Sequence, residues 1–184
     1  MATLIGRLAV KTEQHTSWSQ IAIAIVLPVL AIFSSLVVWV ATAQTIDVAR
    51  FSDIGIITAL PPASLAALGL LTVSFALTLR HGRHHIPLLI LHILALIFML
   101  YGLSSLVEEQ PRFAVTWLHE GFTEYVVRNG QIDPGLDGRF NWPGFFVMSA
   151  FIQQVSGVES LIPLIMWAPV LLNVLYLTIS WNYY

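Results

Sequence analysis

The sequence predicts an all-α, polytopic transmembrane protein with about five spans and one structured extracytoplasmic loop that carries an amphipathic helix. The first observation is composition: 57% of the 184 residues are hydrophobic and 10% are charged, whereas charged residues approach about 25% in soluble domains. The second is that the apolar residues lie in runs close to the ~20 residues that cross a bilayer core. The third is that six of the ten acidic residues lie in one segment, 107–143, between two such runs.

Charge and cysteine content exclude several classes of function. The net charge of −2 is spread along the chain without a basic tract, so the sequence has no electrostatic footprint for nucleic acid. The chain contains no cysteine, which excludes disulfides and thiolate metal sites. We therefore expect membrane lipid, and no nucleic acid, among its partners.

The apolar runs divide the single membrane domain, 1–184, into elements. They predict five spans, at residues 19–41, 56–79, 86–107, 143–158 and 161–181. The Pro61-Pro62 pair delays the start of the second helix, because proline favours a first turn. The fourth run is short, and is either a tilted span or a re-entrant piece lined by Gln153 and Gln154.

The first apolar run also has features of a signal peptide. Ala41-Thr42-Ala43 has the small-x-small form of a cleavage site. The run before it is about 20 residues long, which exceeds the ~7–15 residues of a signal peptide core. We expect this segment to be retained as a span.

Lysine and arginine near the span ends predict orientation in the cell membrane, because they favour the cytoplasmic side. They occur before the first span and between the second and third, at Arg7, Lys11, Arg80 and Arg83. The N-terminus, 1–18, is therefore expected in the cytoplasm and the loop 108–142 outside. Five spans then place the C-terminus outside. Tryptophans near the span ends, Trp39 and Trp142 among them, fit an interfacial aromatic belt.

Histidines offer two candidate sites on the membrane segments. His92 lies in the third span, where an ionisable group is a functional candidate, although a neutral histidine bonded to a neighbouring helix is the simpler interpretation. His81, His84 and His85 form a cluster that could bind a metal or contact lipid headgroups. We favour headgroup contact and predict no metal site.

The long loop contains a predicted amphipathic helix. Thr116 can cap it, Gly130 can end it, and four apolar residues share one face by their spacing: Leu118, Phe122, Tyr125 and Val126. The opposite stripe contains Glu120, Glu124 and Arg128, and the last two can pair four residues apart. Asp133 and Asp137 lie in turn sequences.

Several of these loop residues resemble a known family. His119-Glu120-Gly121-Phe122, Tyr125, Gly130 and the stretch from Arg139 to Phe146, with Ala150 and Gly157, resemble the first large extracytoplasmic loop of the GT-C superfamily. Members of that superfamily are polytopic glycosyltransferases that use lipid-phosphate-linked sugars. The resemblance covers about residues 87–181 and implies that this chain is an amino-terminal portion, because such folds contain more helices.

The resemblance implies roles for individual loop residues. An acidic residue of this loop acts as catalytic base in the family, and Glu120 takes that position. A positive charge should hold the leaving phosphate, which makes His119, Arg128 and Arg139 candidate substrate-binding residues, together with Asp137. The alternative is that Glu120, Glu124 and Arg128 are the solvated face of a surface helix and that Asp137 only forms a turn.

Two classes of function remain open from the sequence. One is the membrane portion of a glycosyltransferase that takes its sugar from a lipid-phosphate-linked donor on the extracytoplasmic side. The other is a non-catalytic small subunit or assembly factor of a larger membrane complex. Composition does not separate them; an enzyme should show a cavity at the outer surface that converges on Glu120 and an arginine.

Overall fold

The computed structural model describes residues 18–47, 55–80, 85–111 and 113–181, and it is helical throughout these ranges apart from turns and connections. Seven α-helices lie in the described residues: α1 Trp18–Ala43, α2 Pro62–Arg80, α3 Ile86–Tyr101, α4 Leu103–Val107, α5 Ala114–Asn129, α6 Gly144–Ser156 and α7 Ile162–Trp181. Two 3-10 turns precede α2 and α6, at Ile56–Ala59 and Gly138–Asn141. The all-helical prediction is confirmed for the residues described.

Three of these helices are long and apolar enough to cross a membrane: α1 over Ala24–Ala43, α2 over Pro62–Arg80 and α7 over Ile162–Ser180. α3 and α6 are apolar but shorter. α3 continues into α4 almost without interruption, because the Gly102 N–H donates to the Phe98 carbonyl at 2.9 Å and the Leu106 N–H donates to the Gly102 carbonyl at 3.0 Å. Together α3 and α4 cover the third predicted span, 86–107.

The second predicted span starts too early. Residues 56–59 form a 3-10 turn, and α2 begins only at Pro62. The reason is local, since Pro61 and Pro62 lack the N–H groups that would extend a helix across them. The expected delay at this proline pair is confirmed.

Helices α1 to α4 pack as a bundle around one apolar core. Polar contacts between the helices involve hydroxyl groups, as where the Ser64 Oγ donates to the Thr42 Oγ1 at 2.7 Å. Trp39 lies inside this bundle with 2% of its surface exposed. Its assignment to an aromatic belt is therefore wrong, because the indole packs against neighbouring helices instead of facing the membrane interface.

His92 joins α3 to α2 inside the bundle. Its Nδ1 lies 2.7 Å from the Leu88 carbonyl and its Nε2 lies 2.9 Å from the Ser74 Oγ. A carbonyl only accepts, so Nδ1 carries the hydrogen and Nε2 accepts from the serine hydroxyl. This neutral tautomer satisfies both ring nitrogens, and it fits the interpretation of His92 as a helix-packing residue.

Helices α5 and α6 pack on each other around a second, aromatic core. Its buried members are Phe122 and Val126 of α5, Phe140 of the 3-10 turn before α6, and Phe146 and Ala150 of α6. Phe140 is 1% exposed, and its ring centroid lies 5.0 to 5.7 Å from three other rings, those of Phe122, Phe146 and Tyr125. We call this pair of helices, with the turns between them, the loop unit.

The first turns of α7 lie beside the end of α3–α4. The Trp167 ring stacks on Phe98 at 6.1 Å between centroids, and the Ser105 Oγ donates to the Met166 carbonyl at 2.7 Å. Gly102 permits this approach, because an added Cβ there would lie 3.2 Å from the Trp167 ring. α7 therefore starts at the end of the bundle where α4 finishes.

This position of α7 bears on the predicted span at 143–158. α6 has 13 residues, a length of about 20 Å, and a hydrocarbon core is about 30 Å thick. Its first turn contacts α5, and only residues 157–161 separate its last turn from the start of α7. α6 is therefore too short to cross the core upright, and the tilted span and the re-entrant helix expected from the sequence both stay predictions.

Candidate functional site

The predicted amphipathic helix of the loop is confirmed as α5, with small shifts at its ends. It starts at Ala114 after Phe113, so the assignment of Thr116 as its cap is wrong. The Thr116 N–H donates to the Phe113 carbonyl at 3.0 Å, which places the threonine within the first turn. The expected stop is correct, since Gly130 has φ +63°, a conformation that glycine adopts without strain.

α5 turns the buried part of its apolar side toward α6. Phe122 and Val126 are buried in the aromatic core, whereas Leu118 is 40% exposed because that core does not extend to the first turns of α5. On the water-facing side Arg128 donates to the Glu124 carboxylate. The predicted pair is therefore confirmed. Arg128, one of the three candidate cations with His119 and Arg139, is already bound to an acid.

Glu120 faces α7 instead of solvent. Its Oε1 accepts a hydrogen bond of 2.9 Å from the Leu161 N–H, across 41 residues of sequence. Leu161 caps α7, because its carbonyl accepts the first helical hydrogen bond, from the Ile165 N–H at 2.9 Å. The carboxylate thus lies at the N-terminal end of α7, where the helix dipole attracts negative charge.

The second carboxylate oxygen of Glu120 has no partner. Oε2 is buried and makes no hydrogen bond with any residue that the structure describes. Leaving a buried charged acceptor unpaired costs about 1–3 kcal/mol or more. Glu120 therefore combines one oxygen held by a backbone N–H with a second oxygen that can still accept a proton or a hydrogen bond.

His119 points into the loop unit. Its ring lies 5.4 Å from the Phe145 ring and 5.7 Å from the Phe146 ring, between centroids. The adjacent residues His119 and Glu120 therefore contact different partners, α6 and α7. Packing against two aromatic rings accounts for the histidine without a ligand.

Asp137 and Arg139 form a turn at the edge of the loop unit. The Asp137 Oδ1 accepts from the Arg139 N–H at 2.8 Å, and its Oδ2 accepts from the guanidinium at 3.1 Å. The guanidinium also lies 5.9 Å from the centre of the Phe122 ring, within the range of a cation–π contact. Asp137 thus has the turn role that its sequence context predicts.

The candidate residues do not converge on one point. Arg128 and Arg139 each bind an acid of the loop, and the contacts of Arg139 place it on the α6 side of α5, whereas Glu120 contacts α7. A cavity of about 180 Å³ lies one helical turn from Glu120, between α4, α5 and α7. Its lining includes hydroxyl and carboxylate groups on an otherwise apolar wall: Ser104, Ser105, Glu108, Pro111, Phe113, Thr116, Ile165, Met166 and Pro169.

The segment that joins α6 to α7 is the part of the site that sequence reasoning missed. The Gln153 Nε2 donates to the Glu159 carbonyl at 2.8 Å. Its Oε1 is buried without a hydrogen bond to any described residue. The only sequence signal is the polar character of this position in an apolar helix.

Candidate metal ligands do not gather elsewhere. Within the described ranges no group of three or more histidine or acidic side chains could hold a metal ion. Of the histidine cluster in the sequence, residues 81 and 84 lie outside those ranges. Their interpretation as headgroup contacts stays a prediction.

Comparison of the chain with protein-family models, with curated proteins and with solved structures finds no significant match.

Proposed function

We propose that this chain is the membrane portion of a GT-C-like glycosyltransferase that takes a sugar from a lipid-phosphate-linked donor on the extracytoplasmic side. The observation that supports this proposal is Glu120, whose carboxylate is oriented by the Leu161 N–H and whose second oxygen is buried without a hydrogen bond to any residue that the structure describes. The family resemblance assigns the catalytic base to the same residue. Geometry and resemblance therefore favour one side chain.

In the proposed reaction the acceptor hydroxyl gives its proton to the Glu120 Oε2. The acceptor oxygen then forms a bond to the anomeric carbon of the sugar, and the bond from that carbon to the phosphate oxygen breaks. The lipid phosphate leaves with the bonding electrons. A carboxylate held at a helix N-terminus suits the first step, because its orientation is set before the substrate arrives.

The leaving phosphate needs positive charge nearby, which His119, Arg128 and Arg139 could supply only after rearrangement. Both arginines are paired with acids at the surface, and exposed pairs of this kind contribute about 0–1 kcal/mol. Exchange of an acid for a phosphate would therefore cost little. Asp137 would be released when Arg139 binds the phosphate.

We propose a topology with four crossings, by α1, α2, α3–α4 and α7, and with the loop unit on the extracytoplasmic face. The supporting observations are the short α6 and the start of α7 beside Glu120. The N-terminus then lies in the cytoplasm of this multi-pass cell membrane protein, as the arginines predict. The C-terminus lies on the same side, in contrast to the five-span expectation.

A second candidate is a non-catalytic subunit or assembly factor of a larger membrane complex. The observation that favours it is that every candidate charged group has a structural role: Glu120 caps α7, Arg128 pairs with Glu124, and Arg139 pairs with Asp137. The partner would then be a further membrane subunit. In the first candidate it would be the remainder of the enzyme and its lipid-linked donor.

The two candidates differ in what Glu120→Gln should do. The glutamine Oε1 can still accept the Leu161 N–H, so the cap and the thermal unfolding of the purified protein should change little. Turnover should fall by ~10²-fold or more if the carboxylate is the base. The assay uses membranes that contain any remaining part of the enzyme and radiolabelled polyprenyl-phosphate mannose or glucose as the donor probe.

Glu124→Gln is the matched control, because it removes a carboxylate from the same helix one turn further on. Its turnover should stay within about twofold, since its pair with Arg128 is exposed and weak. Equal small effects of both changes would remove the catalytic assignment and leave the subunit as the better account.

The proposed topology can be measured separately, because the chain has no cysteine of its own. Single cysteines at Gly138 and Val158 should react with an impermeant maleimide from the same side, and one at Gly82 from the opposite side. Labelling of Gly138 and Val158 from opposite sides would restore the crossing by α6.

A further inference from the structure

Three hydrogen bonds fix the segment that joins α6 to α7. The Gln153 Nε2 donates to the Glu159 carbonyl at 2.8 Å, the Leu161 N–H donates to the Glu120 Oε1 at 2.9 Å, and the Ile162 N–H donates to the Ser160 Oγ at 3.1 Å. The bond from Gln153 anchors the segment to α6, and the bond to Glu120 anchors it to α5. The anchored backbone atoms lie only two residues apart.

Gln153 is the fixed point of this arrangement. The side chain is 8% exposed and belongs to the buried side of α6. The segment that it holds is exposed before the contact, with Gly157 in a left-handed conformation, φ +69°, and Val158 43% exposed, whereas Leu161 after it is 3% exposed. Without the amide contact, the backbone between Gly157 and Leu161 would have no described side-chain bond to α6.

The direction of the Leu161 N–H depends on that backbone. Residues 159 and 161 are separated by one residue, so a change in the peptide orientation at Glu159 is passed on to the N–H that binds Glu120. When a catalytic carboxylate is displaced from the position where it accepts a proton, the reaction slows steeply, by up to ~10²-fold for about 1 Å. The hydrogen bond from Gln153 to the Glu159 carbonyl should therefore affect the orientation of the Glu120 carboxylate.

We infer that Gln153 is a positioning residue for Glu120, acting through the Glu159 carbonyl and the Leu161 N–H. The inference rests on the proposed function, since it treats Glu120 as the base. Gln153 contacts Glu159 and does not need to touch the substrate. Its amide donates one hydrogen bond, and that donation is the property that matters.

The chain offers a matched pair of variants for the test. Gln153→Met keeps the length and removes the donor, and Gln154→Met makes the same change at the next residue, which is exposed. Turnover with the polyprenyl-phosphate donor should fall about 10-fold in Q153M, with KM for the donor within about twofold, and should not change in Q154M. Gln153→Glu, which keeps the shape but has no N–H to donate, should behave as Q153M does.

A second readout does not depend on activity. Hydrogen exchange of the Leu161 amide in the purified full chain should speed up about 5-fold or more in Q153M and Q153E, because the bond to Glu120 is weakened. It should stay at the wild-type rate in Q154M. Unchanged exchange at Leu161 in both Gln153 variants would overturn the inference.

The double variants separate positioning from a general structural effect. If Gln153 acts through Glu120, adding Q153M to Glu120→Gln should lower turnover by less than about twofold further. A further tenfold loss in that background would show an independent role and overturn the inference. Wild-type turnover in Glu120→Gln alone would overturn the proposed function, whereas the exchange at Leu161 would still report whether Gln153 fixes the bond.

Discussion

The bundle of α1 to α4 and the loop unit of α5 and α6 are held together by different contacts. In the bundle, side-chain contacts between helices use hydroxyls and a neutral histidine, as in the bonds between Ser64 and Thr42 and between Ser74 and His92. In the loop unit the core consists mainly of aromatic rings, centred on Phe140. This contrast fits the proposed topology, in which the bundle faces lipid and the loop unit lies at the extracytoplasmic surface.

Lipid tails are as apolar as a leucine side chain, so burial of apolar surface gives little drive for helices to associate within a bilayer. Close packing and hydrogen bonds between helices take its place there. At the aqueous surface the hydrophobic effect acts in full, and large rings bury the most area per residue. The loop unit should therefore depend on ring volume and the bundle on small, specific contacts.

The largest expected effect is in the loop unit. Phe140→Ala should destabilise it by about 3–5 kcal/mol, the range for removing a buried ring, because Phe140 is 1% exposed. Limited proteolysis and hydrogen exchange over residues 114–156 should both report this loss. Trp142→Ala is the control: its side chain is 83% exposed, so a loss comparable to that of Phe140→Ala would contradict the ring core as the source of stability.

The next effect is at the contact of α7 with the bundle. Gly102→Ala should cost about 1–3 kcal/mol, as overpacking does, because the new Cβ would lie 2.6 Å from the Phe98 carbonyl oxygen and 3.2 Å from the Trp167 ring. Thermal unfolding in detergent micelles measures it. Gly69→Ala, where a Cβ meets nothing within 4 Å, should be neutral or stabilising, and equal losses at both positions would argue against close packing at Gly102.

A smaller effect is expected inside the bundle. Ser74→Ala leaves the His92 Nε2 without its donor and should cost about 0.6–1.7 kcal/mol, the range measured for hydrogen bonds between membrane helices. Unfolding of the protein by increasing SDS in mixed micelles gives the free energy. Ser34→Ala removes a hydroxyl that bonds only within α1, to the Ala31 carbonyl, and should have less effect. A larger loss of unfolding free energy in Ser34→Ala than in Ser74→Ala would contradict a stabilising role for the hydrogen bond between helices.

The smallest effect is at the outer surface of the loop unit. Glu124→Gln should change stability by about 0.3–0.5 kcal/mol, because its partner Arg128 is 71% exposed and the pair lies i, i+4 on one helix. The change should shrink as salt is raised from 50 to 500 mM, since screening weakens exposed pairs. An effect that does not depend on salt would mean that Glu124 has another partner.

Local patterns in the sequence were enough for two helix ends and for one ion pair. The proline pair at 61–62 fixes where α2 starts, Gly130 fixes where α5 ends, and the spacing of Glu124 and Arg128 predicts their contact. Each of these depends on neighbours within a few residues. The structure agrees with all three.

Long-range contacts could not be derived in the same way. The bond from the Leu161 N–H to Glu120 spans 41 residues, and no spacing rule connects a loop acid to the cap of a later helix. The apolar run at 143–158 left a tilted span and a re-entrant helix open, because hydropathy does not distinguish lipid from an aromatic core. Trp39 was assigned to the interface because tryptophan frequency depends on position along the span, not on which face of the helix meets a neighbour.

The hydrogen-bonded His92 has an electrical consequence. The neutral tautomer of His92 carries no charge, and Arg80, the last residue of α2, is the one lysine, arginine, aspartate or glutamate in the helices proposed to cross the membrane. Moving one elementary charge across a membrane potential of 100 mV changes the free energy by about 2.3 kcal/mol. The voltage therefore acts on few side-chain charges within the proposed crossings. We expect the conformation of the bundle to be the same in polarised and depolarised membranes.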